Sequence, residues 1–229
     1  MRVAAVVPAA GAGERLGGST PKQFTSLGRA PVLVHTLRAL EVSSVEAIFV
    51  VVPPGRVRWC RQKLIRPYGF LKVRAVLAGG ASRGESVRRG VERVPSKFDF
   101  LLIHDGARPL VTSSLIEQVI AAAKEAGAAL SAVPEVDTVK AGTRGGWVHR
   151  TLRRDRLWRA QTPQAFRASL FREALRRASR EGYDGTDDSS LAERAGYRVR
   201  VVEGDPNNIK ITTPMDLALA GLLLRGKKS

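Results

Sequence analysis

An apolar run, Val6-Val7-Pro8, leads straight into Ala9-Ala10-Gly11-Ala12-Gly13-Glu14-Arg15-Leu16-Gly17, and Pro21-Lys22-Gln23 follows shortly after. A strand that breaks into a glycine-rich turn with two spaced cations is suited to holding phosphate. Glycine lets backbone N–H groups converge on an anion where a Cβ would obstruct, and Arg15 and Lys22 add the positive charge that a polyphosphate needs. Two familiar phosphate chemistries fail on spacing. A P-loop closes its glycine run with Lys-Ser or Lys-Thr, whereas this run closes with Arg15-Leu16-Gly17. A dinucleotide turn needs G-x-G-x-x-G and an acidic residue about 20 positions further on. Here Gly11, Gly13 and Gly17 are one residue too wide, and the second apolar run, 47–52, ends in Pro53-Pro54-Gly55. A turn that merely joins a strand to its successor accounts for the glycines and leaves Arg15 and Lys22 unexplained.

Four further segments carry candidate chemistry. Gly79-Gly80-Ala81-Ser82-Arg83-Gly84-Glu85-Ser86 enters a helix, with small residues and hydroxyls that could approach a flat base closely. His104-Asp105-Gly106-Ala107-Arg108-Pro109 sets a carboxylate and a guanidinium together. Thr186-Asp187-Asp188 opens a helix, where capping alone also explains these residue types. Asn207-Asn208-Ile209-Lys210 adds one more cation. Taken singly, each has a plainer explanation: Lys22 and Arg15 are two of 38 cations, and Asp105 could simply begin a turn. Their joint occurrence at successive strand ends is what those explanations do not predict. His35 and His149 have no context that suggests a base, and His104 reads as a residue that orients its loop.

The elements that must position these residues alternate regularly. Apolar strand-length runs at 3–7, 47–52, 73–77, 100–103 and 128–133 are separated by helical patterns at 31–41, 56–66, 82–94 and 113–126. Such a series predicts an α/β fold with a mostly parallel twisted sheet, helices on both faces, and ligands at the carboxyl ends of the strands. The pattern breaks at about 136–158. Thr138-Val139-Lys140, a glycine-rich tip and 147–152 read there as a β-hairpin arm inserted in one domain spanning 1–229. A lone hairpin is marginally stable, so a second subunit is a candidate for what it packs against. Helices at 168–181, 187–195 and 214–224 and a strand at 197–202 complete the chain.

The chain has 229 residues and one cysteine, Cys60, which excludes an intrachain disulfide and a Cys-based zinc site. Its apolar runs are strand-length, and no signal peptide precedes the first, so a cytoplasmic protein without membrane association is expected. A formal charge of +17 would by itself suggest nucleic acid. The cations are scattered along helical stretches without interleaved aromatic residues, which favours solvated faces and an anion-attracting field over a specific nucleic-acid footprint.

Taken together, Pro8-Ala9-Ala10-Gly11-x-Gly13-x-Arg15-Leu16-Gly17, Pro21-Lys22-Gln23, His104-Asp105-x-Ala107-Arg108-Pro109, Leu157-Trp158-x-Ala160-x-Thr162-Pro163-Gln164, Thr186-Asp187-Asp188 and Asn208-Ile209-Lys210 resemble the 2-C-methyl-D-erythritol 4-phosphate cytidylyltransferase family over nearly the whole chain. The resemblance implies a Rossmann-like nucleotidyltransferase domain. It also implies transfer of a cytidylyl group from CTP to methylerythritol phosphate, with release of pyrophosphate, in the non-mevalonate route to isoprenoids. By position it implies that Pro8, Ala9, Ala10, Gly11, Ala12, Gly13, Gly79, Gly80, Ser86, Asp105 and Gly106 frame the nucleotide, and that Arg15, Lys22 and Lys210 act on the triphosphate. Asp105 would lie near Mg2+ or another divalent cation. Arg108 and Thr186, with Thr138 and Arg154 from the arm of a homodimer partner, would bind methylerythritol phosphate. Gly106, Ala81 and Arg153 depart from the family pattern, which commonly has alanine, an acidic residue and aspartate there. A ribitol 5-phosphate cytidylyltransferase would share the CTP half, and a non-catalytic basic nucleic-acid-binding protein is the reading from another class.

Overall fold

The computed structural model describes residues 1–11 and 21–226. Its central sheet has seven strands in the order β11-β7-β10-β6-β1-β4-β5. These are β1 (Val3–Pro8), β4 (Ala47–Val52), β5 (Val73–Ala78), β6 (Phe100–Ile103), β7 (Ala128–Pro134), β10 (Trp158–Arg167) and β11 (Arg200–Glu203). The pairs β1/β4, β1/β6, β4/β5 and β7/β11 are parallel. Two short strands, β2 (Ser26–Leu27) and β3 (Ala30–Pro31), form a small hairpin after the glycine turn, and β8 (Lys140–Gly142) pairs with β9 (Val148–Thr151) in the arm.

Every residue of β1, β4 and β6 is buried, which is why these strands read as unbroken apolar runs. Because side chains alternate across a strand, each supplies two cores. Val3, Ala5, Val7, Ile48, Val50 and Val52 pack on one face with residues of α1 (Val32–Glu41) and α4 (Ser113–Ala126). Ala4, Val6, Ala47, Phe49 and Val51 pack on the other with residues of α3 (Arg83–Arg93), α5 (Ala168–Arg180) and α6 (Asp188–Arg194). A third, smaller cluster of Leu27, Val32, Leu110, Ile211 and Ala220 seats α7 (Pro214–Gly226) beside the β2–β3 hairpin.

Three helix starts have the capping residue that the sequence offers. Ser82 accepts from Glu85 N at the start of α3, Thr112 from Leu115 N before α4, and Asp187 from Ser190 N before α6. The stretch expected as one helix over 56–66 is instead a single α turn, α2 (Val57–Cys60), continued by a wider turn through Arg61–Ile65 with Arg66 N bonded to Arg61 O.

The largest correction concerns 158–167, expected only as a motif and found as β10, antiparallel to both β6 and β7 and inserted between them. Its register shifts between Ala160 and Gln164, the interval that contains Pro163. A proline and two glutamines broke the apolar pattern, and a bulge is where a sheet tolerates proline. The arm strands are also displaced by one or two residues from the expected ones. The arm is largely exposed, with Trp147 at 78% and Val148 at 63%.

Candidate active site

Three strand ends and one loop converge on a cavity of about 360 Å³, lined by Pro8, Ala9, Ala10, Gly11, Lys22, Gln23, Gly80, Ala81, Ser82, Arg83, Ser86, Asp105, Ala107 and Lys210. Strand β1 delivers the first wall. Ala9 N bonds Val51 O at 2.7 Å, and the buried Gln23 donates its amide to Ala9 O at 2.6 Å and Gly11 O at 3.3 Å. Gln23 therefore ties the Ala9–Gly11 segment to the short helical turn Lys22–Phe24 that carries Lys22 at the cavity.

The end of β5 delivers the second wall. Gly79 N bonds Val52 O at 2.8 Å, Gly80 N bonds Ser86 Oγ at 3.1 Å, and Ser86 Oγ donates to Ser82 O at 3.0 Å. A Cβ on Gly79 would strike Ala10 Cβ and Ser86 Oγ, so this glycine is what lets the two walls approach. Gly79 and Gly106 support the cavity from behind, and Gly106 N is bonded to Pro8 O.

The end of β6 carries Asp105, which is 5% exposed and the cavity's only carboxylate among the described residues. Arg83 Nε lies 2.9 Å from its Oδ1, Lys210 Nζ 2.7 Å from its Oδ2, and Arg108 Nε 4.0 Å from the same oxygen. Burial alone would raise the Asp105 carboxyl. Arg83, then Lys210 and Arg108, overrule it and hold the group well below the usual carboxylate range. His104 is fully buried behind it, Nδ1 3.1 Å from Thr162 Oγ1, and burial pushes its imidazole down to about 4. It is thus neutral at pH 7, and its Nε2 lies 3.4 Å from Arg108 O.

The position of Lys210 has a traceable cause. Asn208, fully buried, donates to Thr162 O at 2.9 Å and to Gln161 Oε1 at 3.3 Å, and Asn208 O accepts from Arg108 Nη1 at 2.7 Å. That anchor on β10 brings the cation two residues later against Asp105. Arg108 Nε is buried without a hydrogen-bond partner among the described residues. Its nearest carboxylate oxygen is Asp105 Oδ2 at 4.0 Å, an ion pair too long for a hydrogen bond.

The cavity unites Pro8, Ala9, Ala10, Gly11, Lys22, Gly80, Ser86, Asp105 and Lys210 of the expected set, with Gly79, Gly106 and Arg108 directly behind. Ala12, Gly13 and Arg15 lie outside the described residues. Thr186 is exposed and does not line the cavity; the neighbouring Asp187 is the α6 cap, bonded to Ser190 N, Ser189 Oγ and Gln164 Nε2. Thr138 and Arg154 are in the exposed arm and are not among the residues lining this chain's cavity; Arg154 Nη1 bonds Val136 O at 2.8 Å. Arg153, a departure from the family pattern, pairs with Asp155 at 2.9 Å on the surface.

Sequence reasoning named Arg83 and Asp188 only within their segments and gave neither a role of its own. Asp188 is 1% exposed and takes a bidentate pair from Arg83, at 3.1 and 2.7 Å, while the same guanidinium holds Asp105. Arg83 thereby joins the cavity to the start of α6. The available signal was an arginine at the first position of a capped helix, where a cation opposes the helix dipole and needs a separate reason.

The sequence matches the family model described as 2-C-methyl-D-erythritol 4-phosphate cytidylyltransferase over residues 3–226. Proteins bearing that name are similar along their full length. The one from Syntrophus aciditrophicus (strain SB) is 46% identical over 225 residues, 98% of this chain and 96% of that protein. The one from Syntrophotalea carbinolica is 47% identical over 226 residues, 98% and 97% respectively. The crystal structure of 2-C-methyl-D-erythritol 4-phosphate cytidylyltransferase from Thermus thermophilus superposes with a TM-score of 0.81 at 36% identity, covering 98% of this chain and 100% of that one. A 4-diphosphocytidyl-2C-methyl-D-erythritol synthase from Anaerococcus prevotii gives 0.87 at 28% identity, covering 98% and 96%.

Proposed function

The chain belongs to the 2-C-methyl-D-erythritol 4-phosphate cytidylyltransferase family, and we propose that its strand-end cavity transfers the cytidylyl group of CTP to 2-C-methyl-D-erythritol 4-phosphate in isoprenoid biosynthesis. The products are 4-diphosphocytidyl-2-C-methyl-D-erythritol and pyrophosphate. The observation that carries this reading is the convergence of Ala9, Ala10, Gly11, Gly80, Lys22, Lys210 and Asp105 on one cavity.

The nucleophile is a phosphate monoester whose second pKa is about 6, so at neutral pH it is largely dianionic and needs no general base. This agrees with a site whose one histidine, His104, is buried and bonded rather than aimed at a substrate. A phosphate oxygen of the polyol attacks the α-phosphorus of CTP in line. That P–O bond forms as the bond from the α-phosphorus to the bridging oxygen breaks, and the electron pair leaves with pyrophosphate. What remains for the protein is to offset repulsion between two anions and to neutralise charge on the leaving group. Lys22 and Lys210, which both line the cavity, do this together with Arg15, and Arg108 binds the polyol phosphate.

Asp105 would hold Mg2+ or another divalent cation, which supplies further charge neutralisation on the triphosphate when bound. Such ions are commonly bound by one or two carboxylates together with substrate phosphates; Asp105 is the carboxylate available, and it would have to release Arg83 or Lys210, which hold its two oxygens, to take the ion. The arm supports a homodimer, since its exposed Trp147, Val148, Thr138 and Arg154 lack a partner surface among the described residues of their own chain beyond the hairpin itself and Val136. In a dimer, Thr138 and Arg154 complete the polyol phosphate site of the neighbour, with Thr186. No specific nucleic acid is assigned, since surface arginines such as Arg88 and Arg177 are engaged in helical pairs with Glu92 and Glu181. Among the described residues no helix is long and apolar enough to cross a membrane. Both substrates are highly charged and do not cross a membrane unaided, which supports a cytoplasmic reaction.

The test is product analysis by phosphorus NMR after incubation with CTP, Mg2+ and methylerythritol phosphate, ribitol 5-phosphate or no acceptor. A diphosphate diester and free pyrophosphate that appear only with methylerythritol phosphate are expected. Preference for ribitol 5-phosphate would move the reaction to another polyol, and no product with either would refute the enzyme reading.

A further inference from the structure

We propose that Glu85 and Arg89, neither of which lines the cavity, set its preference for cytosine over uracil by deciding which backbone groups residues 79–81 have left to offer. The inference rests on the CTP reading above. The cations that hold a triphosphate do not distinguish CTP from UTP, so discrimination must come from the wall that meets the base.

All three N–H groups of that wall are committed. Gly79 N is bonded to Val52 O at 2.8 Å, Gly80 N to Ser86 Oγ at 3.1 Å, and Ala81 N to Glu85 Oε2 at 2.7 Å. Arg89 locks the arrangement from outside, with Nη2 2.6 Å from Glu85 Oε1 and Nη1 2.7 Å from Gly79 O. Among the described residues no hydrogen bond reaches Gly80 O or Ala81 O, and the first uncommitted N–H along the chain is that of Ser82. The Gly80 and Ala81 portion of the wall therefore has acceptors and no donor to give. The bond from Ala81 N is also the leading reason that the Glu85 carboxyl lies below its ordinary value.

Cytosine carries an exocyclic amine, a donor, at the position where uracil carries a carbonyl oxygen, an acceptor. A wall of acceptors pairs with the first and leaves the second facing carbonyls, and sites that strand polar groups in this way reject the wrong partner strongly. Glu85 is the decisive element because it takes up Ala81 N–H, the donor of this segment that would otherwise be left to pair with uracil. Arg89 is a positioning residue, acting through Glu85 and Gly79.

The experiment compares kcat/KM for CTP and UTP in acceptor-dependent pyrophosphate release by the full chain and its variants. Glu85→Ala lowers the CTP:UTP ratio by about tenfold, and Glu85→Asp, which keeps the charge but is one methylene too short to reach Ala81, lowers it likewise. Glu85→Gln, whose amide oxygen still accepts from Ala81 N, holds the ratio within about twofold of the parent. Equal losses with both nucleotides in the Ala and Asp variants, an unchanged ratio, or a Gln variant as indiscriminate as Ala would each overturn the proposal. If the parent chain turns over neither nucleotide, the functional reading has failed instead. The ratio of CTP to UTP dissociation constants across the same variants then tests the wall alone, with the same expected and refuting patterns.

Discussion

Arg83 holds two carboxylates that belong to different parts of the fold, and its removal has a calculable consequence. Asp188 is 1% exposed and receives both terminal nitrogens of Arg83, at 3.1 and 2.7 Å. Replacing Arg83 by methionine leaves that buried carboxylate without a counter-charge. Removing one partner of a buried pair typically costs 3–5 kcal/mol; the Arg83 side chain keeps 30% exposure, so water reaches part of the site and the lower end, about 3 kcal/mol, is expected. Asp188→Leu is milder, about 2 kcal/mol, because Arg83 retains Asp105 at 2.9 Å. The double variant loses no more than Arg83→Met alone, since neither charge is then stranded, and the coupling in the cycle is about 2 kcal/mol. Urea denaturation read as midpoint shifts at constant slope gives these values directly. Turnover separates the two duties of Arg83: adding Asp188→Leu to Arg83→Met costs no further stability, yet kcat stays low in both, because Asp105 Oδ1 has lost its anchor. Additive single costs, or a loss under about 1 kcal/mol for Arg83→Met, would refute a buried, coupled network.

Three further outcomes are expected. Gly90→Ala, on α3, lowers stability by about 1–3 kcal/mol in urea despite the better helix propensity of alanine, because the new methyl meets Val6 Cγ1 and Val51 Cγ2 on the sheet; a gain in stability would show that α3 does not sit this close. Cys60 is fully buried, and burial pushes its thiol up to about 12, so a thiol reagent at pH 8 should label it only as fast as the protein unfolds. Labelling at the rate of a free thiol would contradict that burial. Mixing Arg154→Ala with Lys210→Ala subunits restores activity that neither variant has, provided the arm completes the neighbour's site. No rescue under conditions of demonstrated subunit exchange would return Arg154 to its own subunit.

The parallel half of the sheet was legible because β1, β4 and β6 are buried on both faces and so read as plain apolar runs. Strand β10 was not, because its job at the site puts Gln161, Thr162, Pro163 and Gln164 in the middle of a strand, where Gln161 bonds Asp205 O, Thr162 bonds Asp105 N and Asn208 Nδ2, and Gln164 bonds Asp187. A buried polar network erases the periodicity from which a strand is recognised. The candidate site was readable wherever chemistry required an unusual residue, as with Asp105 after β6, Lys22 in a short helical turn and Lys210 in the loop before α7. Arg83 and Glu85 were given no role for the opposite reason. Each sits among ordinary helical charges, and its role depends on what folds against it, Asp188 from more than a hundred residues away in one case and the amide of Ala81 in the other.

The central claim is that the cations gathered around Asp105 stabilise charge that develops as pyrophosphate leaves. Its most direct test is kcat and KM for Lys210→Ala in methylerythritol phosphate-dependent pyrophosphate release with CTP and Mg2+. The account predicts a fall in kcat of about a hundredfold or more, in the range seen when one donor to a developing anion is removed. A change confined to KM for CTP, with kcat intact, would make Lys210 a binding residue only and would contradict the assignment.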